Sequence, residues 1–204
     1  MAKKARPLPG SADTFVSNTD RWHTAWLNNA GADGWCLYAD GYKRAADLLV
    51  QHLETTYDVN TVVYPVLFLY RQYIELSLKD IIRDGRYLNH QRRQAPAVHE
   101  LRSLWNEARA IIKKHLADIP TRDLERIESL IREFSELDPT SEAFRYPAKK
   151  DGEPSFPYDS PAVNLKRVAD VMGELSALLG PIGDKLSICR GLERDYRSDF
   201  DKGP

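Results

Sequence analysis

The strongest constraint on the fold is an apolar and aromatic stretch at residues 62–82, with the sequence VVYPVLFLYRQYIELSLKDII. Its hydrophobic residues recur at helical spacing but fall on nearly every face, a distribution typical of a helix surrounded by its neighbours. We therefore predict a central helix here. Asn60 is the predicted N-cap, Pro65 falls near the first turn, where its missing N–H costs little, and Gly85 is predicted to end the segment.

Apolar residues keep helical spacing along most of the remaining chain, and no stretch shows the sustained alternation of a half-buried strand. The sequence therefore predicts an all-α fold, an up-and-down bundle of six to seven helices. One small β-hairpin is allowed near residues 145–156, around a turn at Asp151 and Gly152. Gly180 and Pro181 are expected to break or kink the chain. Besides the central helix, the expected helices are a short one with Trp22 and Trp26, and others at about residues 35–56, 99–116, 121–137, 161–179 and 184–200.

The chain has 204 residues, enough for one domain with a sizeable core. We expect a disordered lead-in over residues 1–12 and a single helical-bundle domain over residues 13–200. The first residues are basic but lack the apolar stretch of a signal peptide, and no apolar run approaches the roughly 18 residues of a membrane helix. Cys36 and Cys189 are too few for a disulfide framework. Together these features predict a cytoplasmic protein without a membrane span.

Charge is divided unevenly along the chain, although the net charge is only −1. Residues 83–114 carry eight basic and three acidic side chains, a net of +5, and residues 118–142 carry three basic and eight acidic ones, a net of −5. The overall balance excludes a uniformly basic nucleic-acid binder. Two interpretations remain: the segments attract each other across a helical hairpin, or the basic segment faces a phosphate backbone.

Several common catalytic chemistries lack their motifs in this sequence. There is no HExxH, no CxxC and no nucleophile elbow, and the five histidines never stand at metal-ligand spacing with each other or with a cysteine. We therefore expect neither a metal nor a cofactor.

A row of charged residues interrupts the central apolar segment. Arg71, Glu75 and Lys79 stand four residues apart, which places them on one face of the helix. Charged groups in so hydrophobic a helix require partners or a cleft. They form either a ladder of salt bridges between successive turns or the wall of a functional cleft.

Three segments carry a family resemblance: residues 64–79 (YPVLFLYRQYIELSLK), 99–105 (HELRSLW) and 144–147 (FRYP). They resemble a group of uncharacterised prokaryotic proteins related to the HEPN (higher eukaryotes and prokaryotes nucleotide-binding) helical domains, over roughly residues 35–180. The resemblance implies an α-helical up-and-down bundle, often a homodimer. Active members of that superfamily cut RNA without a metal in toxin–antitoxin and phage-defence systems, whereas many others serve as interaction or scaffolding units.

The catalytic signature of that superfamily is an arginine, usually followed by a polar residue, then four to six residues and a histidine. The histidine acts as general base or acid at the ribose 2′-hydroxyl or the leaving 5′-oxygen, and the arginine stabilises charge on the phosphate. Arg83 with His90 fits this spacing and is the formal motif here. Two further pairs also fit, namely Arg93 with His99 and Arg109 with His115.

Individual residues outside the formal motif have alternative interpretations. His99 opens a predicted helix, where it serves either as a cap or as a catalytic group. If the extended segment that contains Arg145 folds over the central helix, Arg145 could pair with Glu75 and His99 could complete a buried polar cluster. His115 is expected to be a core histidine.

The tryptophans near the start of the chain are Trp22, Trp26 and Trp35. We expect them to form a packing lid over the bundle or, alternatively, an aromatic platform for bases.

Two functions of different class follow. The first is a HEPN-like, RNA-associated protein of a prokaryotic defence, toxin–antitoxin or stress system, with metal-independent endoribonuclease activity. The second is a non-catalytic interaction or scaffolding module. The expected partners are a second copy of the chain, RNA, and a protein such as an antitoxin. The candidate site residues are Arg71, Glu75, Lys79, His99 and Arg145, with Arg83 and His90 as the formal motif.

Overall fold

The computed structural model describes residues 22–25, 33–56, 58–160 and 162–200, with the side chain of Phe200 excepted. The chain divides into two compact units, residues 1–34 and residues 35–204. The lead-in predicted over residues 1–12 lies outside the described residues, as does Trp26 of the predicted first helix. The single domain predicted over residues 13–200 stays a prediction.

The second unit is all-helical, as the apolar spacing predicted. Over the described residues there are five helices instead of the predicted six to seven, and none of them is both long enough and apolar enough to cross a bilayer. The helices are α1 (Trp35–His52), α2 (Val59–Leu88), α3 (Leu101–His115), α4 (Thr121–Leu137) and α5 (Leu165–Phe200).

The predicted central helix is α2, which packs against α1, α3 and α5. One row of its apolar side chains at four-residue spacing is fully buried, and each such side chain contributes about 1.5–3 kcal/mol to folding. The helix begins one residue before the predicted cap Asn60, so Pro65 lies in its second turn. The buried row consists of Val66, Tyr70, Ile74, Leu78 and Ile82.

The prediction that Gly85 ends this helix is wrong, because α2 continues to Leu88. A β-carbon on Gly85 would lie 2.2 Å from Cγ2 of Ile111 in α3. The glycine therefore serves the close approach of two helices, where any side chain would force them apart.

A left-handed residue ends α2. His90 has a φ of 58°, and its N–H donates to the carbonyl of Tyr87, while the N–H of Gln91 donates to that of Arg86. These two hydrogen bonds define a Schellman motif, in which glycine is the usual residue at the position of His90.

The helices α2 and α3 run in the same direction. Glu75 contacts His99 just before α3, and Arg86, further along α2, pairs with Glu107, further along α3. An up-and-down arrangement therefore does not hold for this pair. Residues 89–100, which we name the crossover segment, return along α2 before α3 begins.

The predicted break at Gly180 and Pro181 is absent, because α5 is one helix of 36 residues. The buried residues Leu179, Ile182 and Leu186 lie on both sides of the proline. Their continuous packing outweighs the one backbone hydrogen bond that a proline removes.

The predicted β-hairpin is reduced to a single antiparallel bridge between Ala148 and Pro154. The turn lies where it was predicted, with Gly152 at a φ of 90°. Prolines at positions 147, 154 and 157 lack the N–H groups that a longer ladder needs. Phe144 and Phe156 stack 5.6 Å apart and hold the loop closed.

Candidate functional site

Three charged side chains of α2 meet inside the bundle. Arg71, Glu75 and Lys79 are 0%, 3% and 6% exposed. Nη1 of Arg71 donates to Oε2 of Glu75 at 3.0 Å, and Nζ of Lys79 donates to Oε1 at 2.9 Å. The predicted ladder of salt bridges is thus present, but it is buried, where the loss of one partner leaves an uncompensated charge.

The guanidinium of Arg71 joins three parts of the chain. Besides its bond to Glu75, Nη2 donates to the backbone carbonyl of His99 at 2.8 Å, and Nε lies 3.3 Å from Oδ2 of Asp138. Nε and Nη2 form one edge of the planar guanidinium, so that carbonyl and that carboxylate lie side by side. Arg71 therefore holds the end of the crossover segment and the end of α4 against α2.

Asp138 is a site residue that the sequence did not reveal. It is 1% exposed, and its Oδ1 accepts hydrogen bonds from the backbone N–H groups of Glu142 and Ala143 at 2.9 and 3.0 Å. Its carboxylate thus orders the loop that follows α4. An aspartate before a proline at a helix end predicts a turn, and that signal is the same whether the aspartate is exposed or buried.

His99 connects the buried charges with the protein surface. Its side chain is 64% exposed, yet Nδ1 lies 2.7 Å from Oε1 of Glu75. An ionised carboxylate only accepts hydrogen bonds, so Nδ1 carries a proton and donates it to Glu75. The second ring nitrogen, Nε2, therefore lies on the opposite side of the ring from the buried carboxylate.

The interpretation of His99 as a helix cap is wrong. The N-cap of α3 is Glu100, whose side chain accepts hydrogen bonds from the backbone N–H groups of Arg102 and Ser103 at 2.9 and 2.7 Å. His99 precedes the N-cap residue, and its ring does not cap the helix.

The cations around Glu75 keep it ionised. Burial alone would raise its pKa, but the hydrogen bond and charge of Lys79, followed by the hydrogen bonds of His99 and Arg71, hold the pKa below its usual value. The carboxylate therefore remains a hydrogen-bond acceptor for His99. We name the group of Arg71, Glu75, Lys79, His99 and Asp138 the Glu75 cluster.

Arg145 does not bond to Glu75. Its Nε donates to the carbonyl of Ser141 at 2.8 Å, and its guanidinium lies over the ring of Tyr146, 5.2 Å from the centroid. The predicted pair of Arg145 with Glu75 is therefore wrong, and His99 occupies the expected position on that carboxylate. The loop of Arg145 nevertheless adjoins the Glu75 cluster, because Asp138 orders it.

A second buried group of charges lies further along α2. Both Arg93, from the crossover segment, and Arg190, from α5, contact Asp84, at 2.9 and 3.1 Å. One turn earlier, Arg83 pairs with Asp80 at 2.7 Å. We name the group of Asp80, Arg83, Asp84, Arg93 and Arg190 the Asp84 cluster.

The two residues of the formal motif, Arg83 and His90, have different surroundings in the structure. Arg83 is 6% exposed, pairs with Asp80 and lies over the ring of Trp35, 4.8 Å from its centroid. His90 is at the left-handed end of α2, and its ring contacts Arg197 of α5. The two motif residues belong to different surroundings, and neither has a contact that joins it to the Glu75 cluster among the described hydrogen bonds and ion pairs.

The third fitting pair is also engaged elsewhere. Arg109 pairs with Glu128 at 3.5 Å, and Nε2 of His115 is 3.0 Å from Oδ1 of Asn89. His115 is half-buried at the end of α3 rather than in the core, and burial, with Lys114 beside it, lowers its pKa. This pair carries no catalytic geometry.

The oppositely charged segments attract each other, as one interpretation predicted. Arg102 pairs with Glu136 at 3.0 Å and Arg109 with Glu128, so α3 and α4 are joined by ion pairs across their hairpin. The first pair is exposed and the second is partly exposed, so each contributes less than about 1 kcal/mol.

Of the three tryptophans of the predicted packing lid, Trp35 lies at the start of α1, half-buried against Arg83, whereas Trp22 is 94% exposed, so the lid prediction is wrong for Trp22. The cation–π contact with Arg83 favours packing over a base platform for Trp35. Trp26 lies outside the described residues.

The described residues contain no group of three His, Cys, Asp or Glu side chains arranged to hold a metal ion. A cavity of about 610 Å³ lies where the end of α1 meets the start of α5. Its walls include Val50, Leu53, Val163 and Leu165, and none of its lining residues belongs to the Glu75 cluster.

No protein-family model matches the chain, and neither a curated protein nor a solved structure resembles it significantly. The resemblance to HEPN domains therefore stays a prediction from the sequence segments that suggested it.

Proposed function

We propose that this chain is a HEPN-like, RNA-associated protein of a prokaryotic defence, toxin–antitoxin or stress system, and that its Glu75 cluster cleaves RNA without a metal ion. The observation that carries the proposal is the ring of His99, which faces solvent on one side and is held by a buried carboxylate on the other. A histidine oriented in this way is suited to general acid–base catalysis. The family resemblance supplies RNA as the substrate.

The reaction begins at a ribose 2′-hydroxyl. Nε2 of His99 takes its proton, the 2′-oxygen attacks the adjacent phosphorus, and the bond from phosphorus to the 5′-oxygen breaks. The imidazolium returns the proton to the leaving 5′-oxygen. The products are a 2′,3′-cyclic phosphate and a 5′-hydroxyl, and no co-reactant is consumed.

The buried members of the cluster act through His99. Arg71 and Lys79 are bonded to Glu75 and are shielded from solvent, so they cannot reach a polyanion at the surface. Their charges keep Glu75 ionised, and the hydrogen bond from Nδ1 to Glu75 fixes the orientation of the His99 ring. We assign Arg71, Glu75 and Lys79 as positioning residues.

The test is cleavage of a structured RNA in the presence of EDTA by the wild-type protein and by two variants. We expect His99→Ala to lower the rate by about a hundredfold or more, the usual contribution of a general acid–base group. His90→Ala is the matched control, because His90 is an exposed histidine of the formal motif, and this variant should cleave at the wild-type rate. Glu75→Gln should both lower the rate and displace its pH profile.

Equal cleavage by the wild type and the His99→Ala variant contradicts the proposal, as does cleavage that EDTA abolishes. Cleavage products that lack a 2′,3′-cyclic phosphate contradict the mechanism.

A second candidate function, the non-catalytic interaction module, is favoured by an exposed apolar row on α5. Ile188, Leu192 and Tyr196 follow one another at four-residue spacing and are 63%, 67% and 61% exposed. Such a row is suited to a homodimer or to a protein partner such as an antitoxin. Sedimentation of the wild type and of Leu192→Asp tests it: a dimer that the substitution turns into a monomer supports the module, and a wild-type monomer contradicts the homodimer.

A further inference from the structure

The loop between α4 and α5 lies along the first half of α2. Asp138, at its start, contacts Arg71, and Phe156, further along, has its ring centroid 6.1 Å from that of Tyr64. Tyr64 and Arg71 are seven residues apart on α2, about 10 Å along its axis. The stretch between the two contacts is therefore held beside the turns of α2 that precede Glu75, and it adjoins the Glu75 cluster at Arg71 and Asp138.

Arg145 lies in this stretch with its guanidinium fixed in place. Nε is bound to the carbonyl of Ser141, and the plane is supported by the ring of Tyr146. Its two terminal nitrogens form no hydrogen bond or ion pair with any described residue, and the side chain is exposed. A guanidinium held by Nε presents a rigid pair of donors, which suits bidentate binding of a phosphate.

The neighbouring Tyr146 adds an aromatic surface. Tyr146 is 54% exposed, and the guanidinium of Arg145 lies against its ring. An exposed ring beside a free cation suits a ligand that carries both an anion and a planar base. A nucleotide has both features, whereas free phosphate has only the first.

We propose that Arg145 and Tyr146 form the RNA-binding subsite of the Glu75 cluster, in which Arg145 binds a phosphodiester and Tyr146 stacks on an adjacent base. This inference rests on the proposed function, because RNA is the ligand class in both. It gives the surface cation that Arg71 and Lys79 cannot supply, since both are buried. Arg145 orients RNA here, and His99 performs the chemistry.

The test measures binding separately from cleavage. A short fluorescein-labelled single-stranded oligouridylate is titrated, by fluorescence anisotropy, with His99→Ala protein as the uncleaving parent. Adding Arg145→Ala should weaken binding about tenfold. It should also make the negative slope of log affinity against log salt concentration shallower by about 0.7, the contribution of one single-strand phosphate contact. Adding Tyr146→Ala should weaken binding about tenfold without changing that slope.

Two control variants and one competition experiment accompany the test. Arg122→Ala removes an equally exposed arginine from the other end of α4, about 24 Å from Asp138 along the helix, and should leave affinity and slope unchanged. Arg145→Lys keeps the positive charge but loses the rigid pair of donors. Compared with Arg145→Ala, it should return the salt slope to the parent's value and recover only part of the affinity. Inorganic phosphate in excess should compete weakly, because it lacks a base.

The remaining outcomes distinguish a failure of this inference from a failure of the proposed function. Arg145→Ala with the parent's affinity and slope overturns it alone, even when the wild type cleaves RNA. A parent that does not bind the oligouridylate overturns it together with the RNA substrate of the proposed function. Binding that depends on Arg145 in a protein without ribonuclease activity overturns the proposed reaction and leaves the subsite standing.

Discussion

The Glu75 and Asp84 clusters are built from similar materials at two points of one helix. Each centres on a buried carboxylate of α2, and each binds one residue of the crossover segment, His99 at Glu75 and Arg93 at Asp84. The two carboxylates are nine positions apart, about 14 Å along the axis of α2. Both clusters thus hold the same segment onto the same helix.

They differ in what faces the solvent. Although burial would raise the pKa of Glu75, Lys79, His99 and Arg71 around it hold that pKa low, and the cluster reaches the surface through the ring of His99. The Asp84 cluster contains two acids, and burial, with Asp84 nearby, raises the pKa of Asp80 despite Arg83 and Arg93. Guanidiniums do not titrate near neutral pH. On the proposed function, the first cluster carries the chemistry and the second holds the crossover segment on α2.

The largest expected effect on stability comes from the residue that joins three parts of the chain. Arg71→Met should lower the free energy of unfolding by about 3–5 kcal/mol, because Glu75 and Asp138 then stay buried without their shared cation. Urea denaturation followed by circular dichroism measures it. Arg122→Met, on an exposed arginine, should change stability by less than about 0.5 kcal/mol. A loss below about 1 kcal/mol for Arg71→Met contradicts the assignment of Arg71 as the clamp.

The corresponding change in the other cluster should have a smaller effect. Asp84→Asn should lower the free energy of unfolding by about 1–3 kcal/mol, because Arg93 and Arg190 lose a charged acceptor but keep some contact with water, being 22% and 17% exposed. RNA cleavage per folded molecule should be unchanged. Cleavage that falls as far as in His99→Ala would place Asp84 in the chemistry and break the distinction between the clusters.

Lowering the pH should change folding stability in opposite directions through the two clusters. Glu75 has a folded pKa below its ordinary 4.5, so its contribution is present above pH 4.5 and is lost as pH falls through the folded pKa. Asp80 has a folded pKa above its ordinary 3.8, so its protonation adds stability as pH falls through the raised pKa. Urea midpoints measured from neutral pH downward should therefore decline less steeply in Glu75→Gln and more steeply in Asp80→Asn than in the wild type. The same slope in all three proteins would contradict both assignments.

The smallest expected effect concerns the formal motif. His90→Gly should raise the free energy of unfolding by about 0.5–1 kcal/mol, because glycine adopts the left-handed conformation of this position without strain. Cleavage of RNA should not change. A thermal melt and the EDTA cleavage assay on the same preparation measure both effects, and a loss of cleavage would return His90 to the candidate catalysts.

The part of the site that the sequence predicted is the part that lies within one helix. Arg71, Glu75 and Lys79 follow from four-residue spacing, which fixes a shared face whatever surrounds the helix. Tertiary contacts determined the rest. The arginine partner of Asp138 lies in another helix, and a glycine such as Gly85 looks the same in a sequence whether it ends a helix or lets two helices touch.

The direction of α3 could not be predicted for a similar reason. A link of twelve residues serves equally for a loose turn between antiparallel helices and for a return path between parallel ones. The ion pair of Arg93 with Asp84 and the contact of His99 with Glu75 decide between them, and both depend on which side chains meet in three dimensions. One of the segments that carry the family resemblance contains His99, but the pairing expected from side-chain chemistry put Arg145 rather than His99 on the carboxylate.

The crossover segment has slack between its two points of attachment. Six peptide units separate Arg93 from His99, and fully extended they reach about 20 Å, whereas the carboxylates they contact are about 14 Å apart along α2. Chain tension therefore does not set the position of the His99 ring. The carboxylate of Glu75 and the guanidinium of Arg71 fix the position of the His99 ring. The residues between Arg93 and His99 can therefore change in sequence, or lose one member, without displacing Nε2 of His99.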